Sequence, residues 1–272
     1  MITMFINTNV GALNAHRNLT GNNGSLNKTM EKLSSGYRIN RAADDAAGLA
    51  ISEKMRFQIN GLNQAQRNAQ DGISLIQTAE GALTETHAIL QRLNTLANQS
   101  VNGTYDGTDR TKAQSEVTQL LSEIGNIASK TKFNGIDLLS AAGTVNFQVG
   151  SESGDTISVS LSDMSQAGLN LTGLSIATST AAATAIATIK NAIGTVSTQR
   201  ATFGAVQNRL EHTINNLGVN AENLSAAQSR IRDADMAKEM TNFTKNQILV
   251  QAGTSMLAQA NSVPQNVLKL LG

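Results

Sequence analysis

The clearest pattern in the chain is a seven-residue apolar repeat. Counting from Met55, every seventh residue is apolar: Met55, Leu62, Ala69, Ile76, Leu83, Leu90 and Ala97. Such a repeat keeps these side chains on one slowly drifting seam of a helix, and the seam is buried against partner helices. The pattern predicts a helix over residues 49–99, a rod of roughly 75 Å. That exceeds what a compact globular domain of this size holds. A second repeat reads Ile189, Val196, Phe203, Leu210, Leu217 and Leu224. Beside each seam runs a row that is only half apolar. The first holds Ile59, Gln66, Ile73, Glu80, His87 and Asn94; the second holds Ile193, Arg200, Gln207, Ile214 and Ala221. Narrow seams suit a few-stranded bundle better than a thick core. The two seams are expected to meet within one molecule.

Between the repeats the period changes. Ala113, Val117, Leu120, Ile124 and Ile127 follow 4-3-4-3 spacing and predict a helix over about residues 109–129. Lys132-Phe133-Asn134-Gly135 supplies an Asn-Gly turn. Val145, Phe147 and Val149 then alternate with polar residues, as do Ile157, Val159 and Leu161, so a β-hairpin is expected over 143–161. Residues 163–184, rich in Ser, Thr, Ala and Gly, read as surface loop or a short extra strand, with helix resuming near Ala185. Asp233-Ala234-Asp235-Met236 marks a capped restart, and a last helix runs to about Leu271.

The first forty residues are rich in Asn and carry Gly11, Gly21, Gly24 and Gly36. Apolar residues take helical spacing there only in short pieces, Ile6, Val10 and Leu13, then Leu26, Met30 and Leu33. A helix of this kind hardly offsets its ordering entropy alone. It is expected to be disordered in the monomer and helical when packed against copies of itself. The fold class is therefore mainly α: long helices from both chain ends form an elongated coiled-coil-like bundle with a small β-hairpin in the middle. Three segments are expected. Residues 1–43 and 229–272 form the two halves of a terminal helical domain, and 44–228 form a long-helix domain. Arg38, Arg41, Asp44 and Asp45 make the joint, as helix caps and salt partners, since Asp favours helix starts.

Composition narrows the function classes. The 272 residues include no Trp, six Phe, two Tyr and a single proline, which disfavours a globular enzyme and allows long unbroken helices. Basic residues exceed acidic ones by one, 21 against 20, so no field points to nucleic acid or an anionic surface. With no Cys, disulfides, thiolate catalysis and thiolate metal sites are excluded. The opening Met1-Ile2-Thr3-Met4-Phe5-Ile6-Asn7 does not read as a secretory signal peptide, so any export is expected through another machine. Residues 246–268 carry no ionisable side chain, but their Gln and Asn make them too polar for a membrane span.

No catalytic constellation stands out: no phosphate-binding loop, no dinucleotide fingerprint, no His-Glu-x-x-His. Gly150-Ser151-Glu152-Ser153-Gly154 imitates a nucleophile elbow but has Glu152 where the Ser belongs. His16, His87 and His212 lack metal-ligand spacing. The reading is not an enzyme, with no cofactor.

At the joint and along the long repeat the sequence resembles a known family. Ser34-Ser35-Gly36-Tyr37-Arg38-Ile39-Asn40-Arg41-Ala42-Ala43-Asp44-Asp45-Ala46-Ala47-Gly48-Leu49, residues 70–83, Phe133-Asn134-Gly135, residues 205–210, residues 229–240, Gln259-Ala260-Asn261 and Pro264-Gln265 are similar to bacterial flagellin, the filament subunit of the flagellum. The likeness spans about residues 5–140 and 185–272, with several long motifs in order. It implies a structural subunit that self-assembles as a homo-polymer for swimming motility. It implies export by the flagellar type III apparatus and a secreted, extracellular location in the filament. Residues 140–184 would be all that remains of the family's variable outer insertion, so this resembles a short form. Many flagellins open differently before Ile6-Asn7, which leaves Met1 and Met4 as alternative starts.

The resemblance also implies partners: a flagellar export chaperone, the filament cap, the hook–filament junction proteins, and the innate immune receptor Toll-like receptor 5. The matching receptor positions are Gln91, Arg92, Leu96 and Glu116. The sequence departs from the strong recognition pattern at Asn94 and Thr95, where an Arg-Glu pair is expected, so weakened binding follows. The strip also reads as subunit contact surface. Competing readings are a flagellin homologue serving as a surface adhesin or polysaccharide receptor, a flagellin with a hydrolase insertion, and the related junction protein. The short middle segment argues against the first two, and the match at both ends against the third.

Overall fold

The computed structural model describes residues 8–271, with side chains through Val263. The alternative starts Met1 and Met4 and the side chains of Ile6, Pro264 and Gln265 lie outside the described residues. The elements in order are α1 (Val10–Ser35), α2 (Ala46–Val101), α3 (Gly107–Lys130), β1 (Lys132–Phe133), β2 (Ile136–Asp137), β3 (Gly143–Gln148), β4 (Thr156–Leu161), α4 (Ser179–Arg232) and α5 (Met236–Leu271). They form two compact units. The chain up to Phe57 joins the chain from Asn223, and Gln58–Glu222 forms the second unit.

In the first unit α1 starts at Asn9, whose side-chain oxygen accepts the Ala12 N–H at 3.0 Å. It stops at Gly36, which adopts φ 73°, and the Gly36 N–H donates to the Lys32 carbonyl at 2.9 Å. Only a residue without Cβ takes that left-handed turn cheaply. α1 runs antiparallel to α5: Asn9 Nδ2 donates to the Ala260 carbonyl at 2.7 Å, and Asn246 Nδ2 donates to Thr29 Oγ1 at 3.1 Å. Although the apolar residues come in short pieces here, the helix is one continuous element of 26 residues. Its inward row is Ala12, Ala15, Leu19, Asn22, Leu26, Thr29 and Leu33, while Val10, Leu13 and Met30 face outward. Small and polar residues in that row hide the seven-residue period.

In the second unit one apolar cluster holds Ala69, Ile76, Leu83, Leu90 and Ala97 of α2 with Ile189, Val196, Phe203 and Leu210 of α4. The two seams thus meet within one chain. Ser179 Oγ donates to the Val101 carbonyl, so α4 begins where α2 ends and the pair is antiparallel. The polar members of the flanking rows find each other, with Arg200 Nη2 3.6 Å from Glu80 Oε1. Val117, Leu121, Ile124 and Ala128 of α3 complete the helical part of the cluster.

The β-hairpin pairs Phe147 with Ile157 and Val145 with Val159, as the alternation predicts. β1 and β2 make a tight turn at Asn134-Gly135, with φ 48° and 81°. Two expectations change. Residues 163–178 form neither a strand nor a surface loop: Met164, Leu169, Leu171 and Ile176 are buried and anchor the segment to the core. And α4 starts at Ser179, ahead of Ala185, because Thr178 caps it by accepting the Ala181 N–H on Oγ1 at 3.1 Å. The alanines behind that cap are strong helix formers.

Candidate functional site

Two surfaces carry the candidate residues. The first lies in the first unit. Asp45 Oδ1 accepts the Gly48 N–H at 2.8 Å at the start of α2. Asp44 Oδ2 accepts the N–H groups of Asn40 and Arg41 at 3.2 and 3.1 Å. Those backbone donors hold the Asp44 carboxyl below its ordinary pKa, with Lys32 and Lys28 adding a smaller effect. Arg41 Nε donates to Glu31 Oε1 at 2.8 Å, and Arg38 Nη2 to the Ile231 carbonyl at 2.5 Å. Arg41 thus reaches α1 and Arg38 the end of α4, while Asp44 holds the α1–α2 connection and Asp45 the first turn of α2. Gly48 is required here, since a Cβ would stand 2.8 Å from Ile39 Cδ1, and Ile39 is fully buried.

The sequence offered no hint of the contact beside them. Tyr37 and Asp233 form an isolated antiparallel bridge, and Arg232 packs over the Tyr37 ring and pairs with Glu53. These partners are far apart in sequence, so no local spacing reports them.

On the helix pair above this base, almost nothing is covered. Thr29 is the one buried residue of α1, and among the described residues of α5 none is buried. Leu13 is 62% exposed, Ile248 59% and Met256 66%. Thr241, Thr244, Lys245, Ile248 and Leu249 line an open groove on α5. Apolar side chains so placed on a long helix need a partner.

The second surface lies on α2 and α3. Arg92 Nε and Nη2 both donate to Glu116 Oε1 at 2.8 Å. That hydrogen bond, and then the carboxylate's charge, raise the Arg92 pKa. Gln91 Nε2 lies 3.0 Å from His87 Nε2. Gln91, Arg92 and Thr95 are exposed, and Asn94 is half-buried. Leu96 departs from the expected strip: it is only 3% exposed and belongs to the core cluster. The apolar seam takes it, because Leu96 neighbours Ala97 on the inward face.

A model of the bacterial flagellin N-terminal helical region matches residues 6–144, and one of the flagellin C-terminal helical region matches 186–271. The chain belongs to the bacterial flagellins. It is 53% identical to flagellin of Bacillus subtilis and 55% to flagellin of Halalkalibacterium halodurans, each over 98% of this chain and 100% of the relative. It is 50% identical, with the same coverage, to the flagellar filament 33 kDa core protein of Treponema phagedenis. Among solved structures, Bacillus cereus flagellin superposes with a TM-score of 0.51 at 37% identity, over 60% of this chain and 94% of that one. A putative flagellar hook-associated protein from Vibrio parahaemolyticus shares the fold, with a TM-score of 0.59 at 12% identity, over 70% of this chain and all of that one. The chain is thus a structural subunit of the flagellar filament, a homo-polymer, and the adhesin reading is not favoured. Among the described residues no helix is long and apolar enough to cross a membrane.

Proposed function

We propose that the subunit assembles by covering the outer faces of its terminal helices with neighbouring copies. In this reading residues 1–43 and 229–272 form the filament-core part, and 44–228 form the long-helix part. The exposed apolar set Leu13, Ile248 and Met256 carries the reading. Each such side chain, once buried between copies, contributes roughly 1.5–3 kcal/mol. That gain offsets the ordering entropy that a lone α1–α5 pair cannot. The absence of ionisable side chains over 246–268 serves the same end, because closely packed copies would otherwise bring like charges together.

A chain whose end helices bury almost none of their own surface suits passage, unfolded, through the flagellar type III apparatus. It then works outside the cell in a mechanical, non-enzymatic role. An export chaperone, the filament cap and the hook–filament junction proteins are its partners on the way. Toll-like receptor 5 is proposed to contact Gln91, Arg92 and Glu116, with Leu96 supporting the strip from beneath, and Asn94 and Thr95 weaken that contact.

Electron microscopy after seeding tests the assembly. Long tubes are expected from the full chain, and a persistent monomer under all conditions overturns the proposal. Gln259→Lys is expected to assemble poorly at low salt and to recover as salt screens the charge. For the receptor, a reporter assay on monomer should lose signal with Arg92→Ala; an equal signal from both proteins removes the strip.

A further inference from the structure

The second unit contains three Asn-Gly pairs, at Asn60, Asn102 and Asn134, and the structure holds them in three different ways. Asn60 and Gly61 lie inside α2, where the backbone N–H groups are engaged in the helix. Gly61 is also pressed by the hairpin, since a Cβ there would stand 2.8 Å from the Ser151 Cβ. Asn134 and Gly135 form the two-residue turn between β1 and β2, fixed in left-handed conformations by the pairing of Phe133 with Ile136. Asn102 and Gly103 sit in the connection after α2, both exposed. Among the described residues the Gly103 N–H has no hydrogen-bond partner, and nothing stands within 4 Å of where a Cβ would be. The Asn102 side chain is held only by the Thr104 N–H at 3.4 Å, the outer limit for such a bond.

We infer that Asn102-Gly103 is a site of spontaneous deamidation, a chemical modification built into the α2–α3 connection. This inference rests on local geometry and does not depend on how the subunit assembles. The Gly103 backbone nitrogen, its proton lost to solvent base, attacks the Asn102 Cγ. A C–N bond forms, the bond to the side-chain nitrogen breaks, and that nitrogen leaves as ammonia after taking a proton from water. The five-membered imide is then opened by water at either carbonyl, giving aspartate or isoaspartate. The attack needs a free amide nitrogen and a side chain that can turn toward it. Asn60-Gly61 lacks the free nitrogen. Asn134-Gly135 has an unpartnered Gly135 N–H as well, but the β1–β2 pairing fixes its backbone in the turn, whereas the Asn102-Gly103 connection is not held by strand pairing.

The product changes the corner it sits in. The Asn102 carbonyl accepts the Tyr105 N–H at 3.3 Å and Arg110 Nη2 at 3.2 Å, while Arg110 Nε donates to the Ser100 carbonyl at 2.9 Å. Arg110 is the cation at this helix end, because the last turn of α2 has no basic residue. A carboxylate at position 102 adds negative charge where the helix dipole is already negative. Isoaspartate also inserts a methylene into the main chain of a short connection, so it displaces the turn to Tyr105.

The test is incubation of the full chain at mildly alkaline pH, followed by mass spectrometry of peptides covering the three pairs. Isoaspartate is counted by methyltransferase labelling. Asn102 is expected to lose its amide several-fold faster than Asn60 and Asn134 in the folded chain, and the three rates should converge in urea. Gly103→Ala has open space for its methyl group and is expected to slow the loss at Asn102 several-fold. Equal rates at the three folded sites overturn the inference. So does loss at Asn102 that yields no isoaspartate and ignores Gly103→Ala, because direct hydrolysis would then be the route.

Discussion

Arg232 reaches Glu53 across 179 residues of chain, its Nη1 donating to Oε1 at 2.7 Å. The same guanidinium lies 4.6 Å from the Tyr37 ring centroid. Beside it the Arg38 N–H donates to the Arg232 carbonyl at 2.7 Å, and the Ala234 N–H to the Gly36 carbonyl at 2.9 Å. One side chain therefore ties the end of α4 to the starts of α2 and of the α1–α2 connection. The root of the terminal helix pair is held even though the pair itself covers little of its own surface.

Arg232→Gln keeps a polar side chain but removes both the ion pair and the cation–π contact. The Arg232 side chain is only 15% exposed, so the loss is expected to be about 1–2 kcal/mol. Amide exchange at Arg38 and Ala234 should then accelerate by about 5–30-fold. Unchanged exchange would show that the backbone bridge stands without Arg232.

Glu80 and Arg200 are the charged members of the two half-apolar rows, and their pairing marks the register of α2 against α4. At 38% and 34% exposure, and 3.6 Å apart, the pair is worth about 0.5 kcal/mol. Glu80→Arg and Arg200→Glu should each lower the thermal midpoint, while the double exchange recovers most of it. An additive double mutant would deny the pair any coupling.

Two glycines of α2 should respond in opposite directions to alanine. Gly72 is buried, and a Cβ there would stand 3.1 Å from the Phe147 ring. Overpacking costs about 1–3 kcal/mol and outweighs the helix-propensity gain of about 1 kcal/mol. Gly81 is exposed with nothing within 4 Å, so Gly81→Ala should stabilise by roughly 0.5–1 kcal/mol. Urea unfolding of the full chain measures both; a stabilising Gly72→Ala would mean that the hairpin yields.

The Asp44 loop sets a pH dependence with a definite sign. Its carboxyl is depressed in the folded chain by the Arg41 and Asn40 N–H groups. Above the ordinary aspartate range the group is ionised in both states, and its contribution is fully present. As pH falls through that range the unfolded chain takes up a proton first, so stability drops until pH passes the lower folded value. Asp44→Asn should flatten this acid limb, read as the difference between wild-type and variant unfolding from neutral pH downward.

Much of the architecture was legible in one dimension. The seven-residue rows of α2 and α4, the alternation of Val145 and Phe147 against Ile157 and Val159, and the Asn134-Gly135 turn each carry their period in adjacent or regularly spaced residues. The burial of residues 163–178 was not legible, because four apolar side chains at irregular spacing look like loop until a core is there to receive them. The inward row of α1 was hard to see for a related reason: Ala12, Ala15, Asn22 and Thr29 face inward, and no hydropathy count reports that. Along the candidate receptor strip Gln91 and Arg92 are exposed and Arg92 pairs with Glu116, yet Leu96 belongs to the seam that its own neighbour Ala97 defines.

By itself, then, the sequence determined the helix periods, the hairpin and the family. These depend on local spacing or on residues that stay contiguous. Only the tertiary structure decided that Arg232 meets Glu53 and Tyr37, that Glu80 meets Arg200, and that Leu96 turns inward. Those contacts join residues far apart in the chain, and their energy exists only once the backbone has already brought them together.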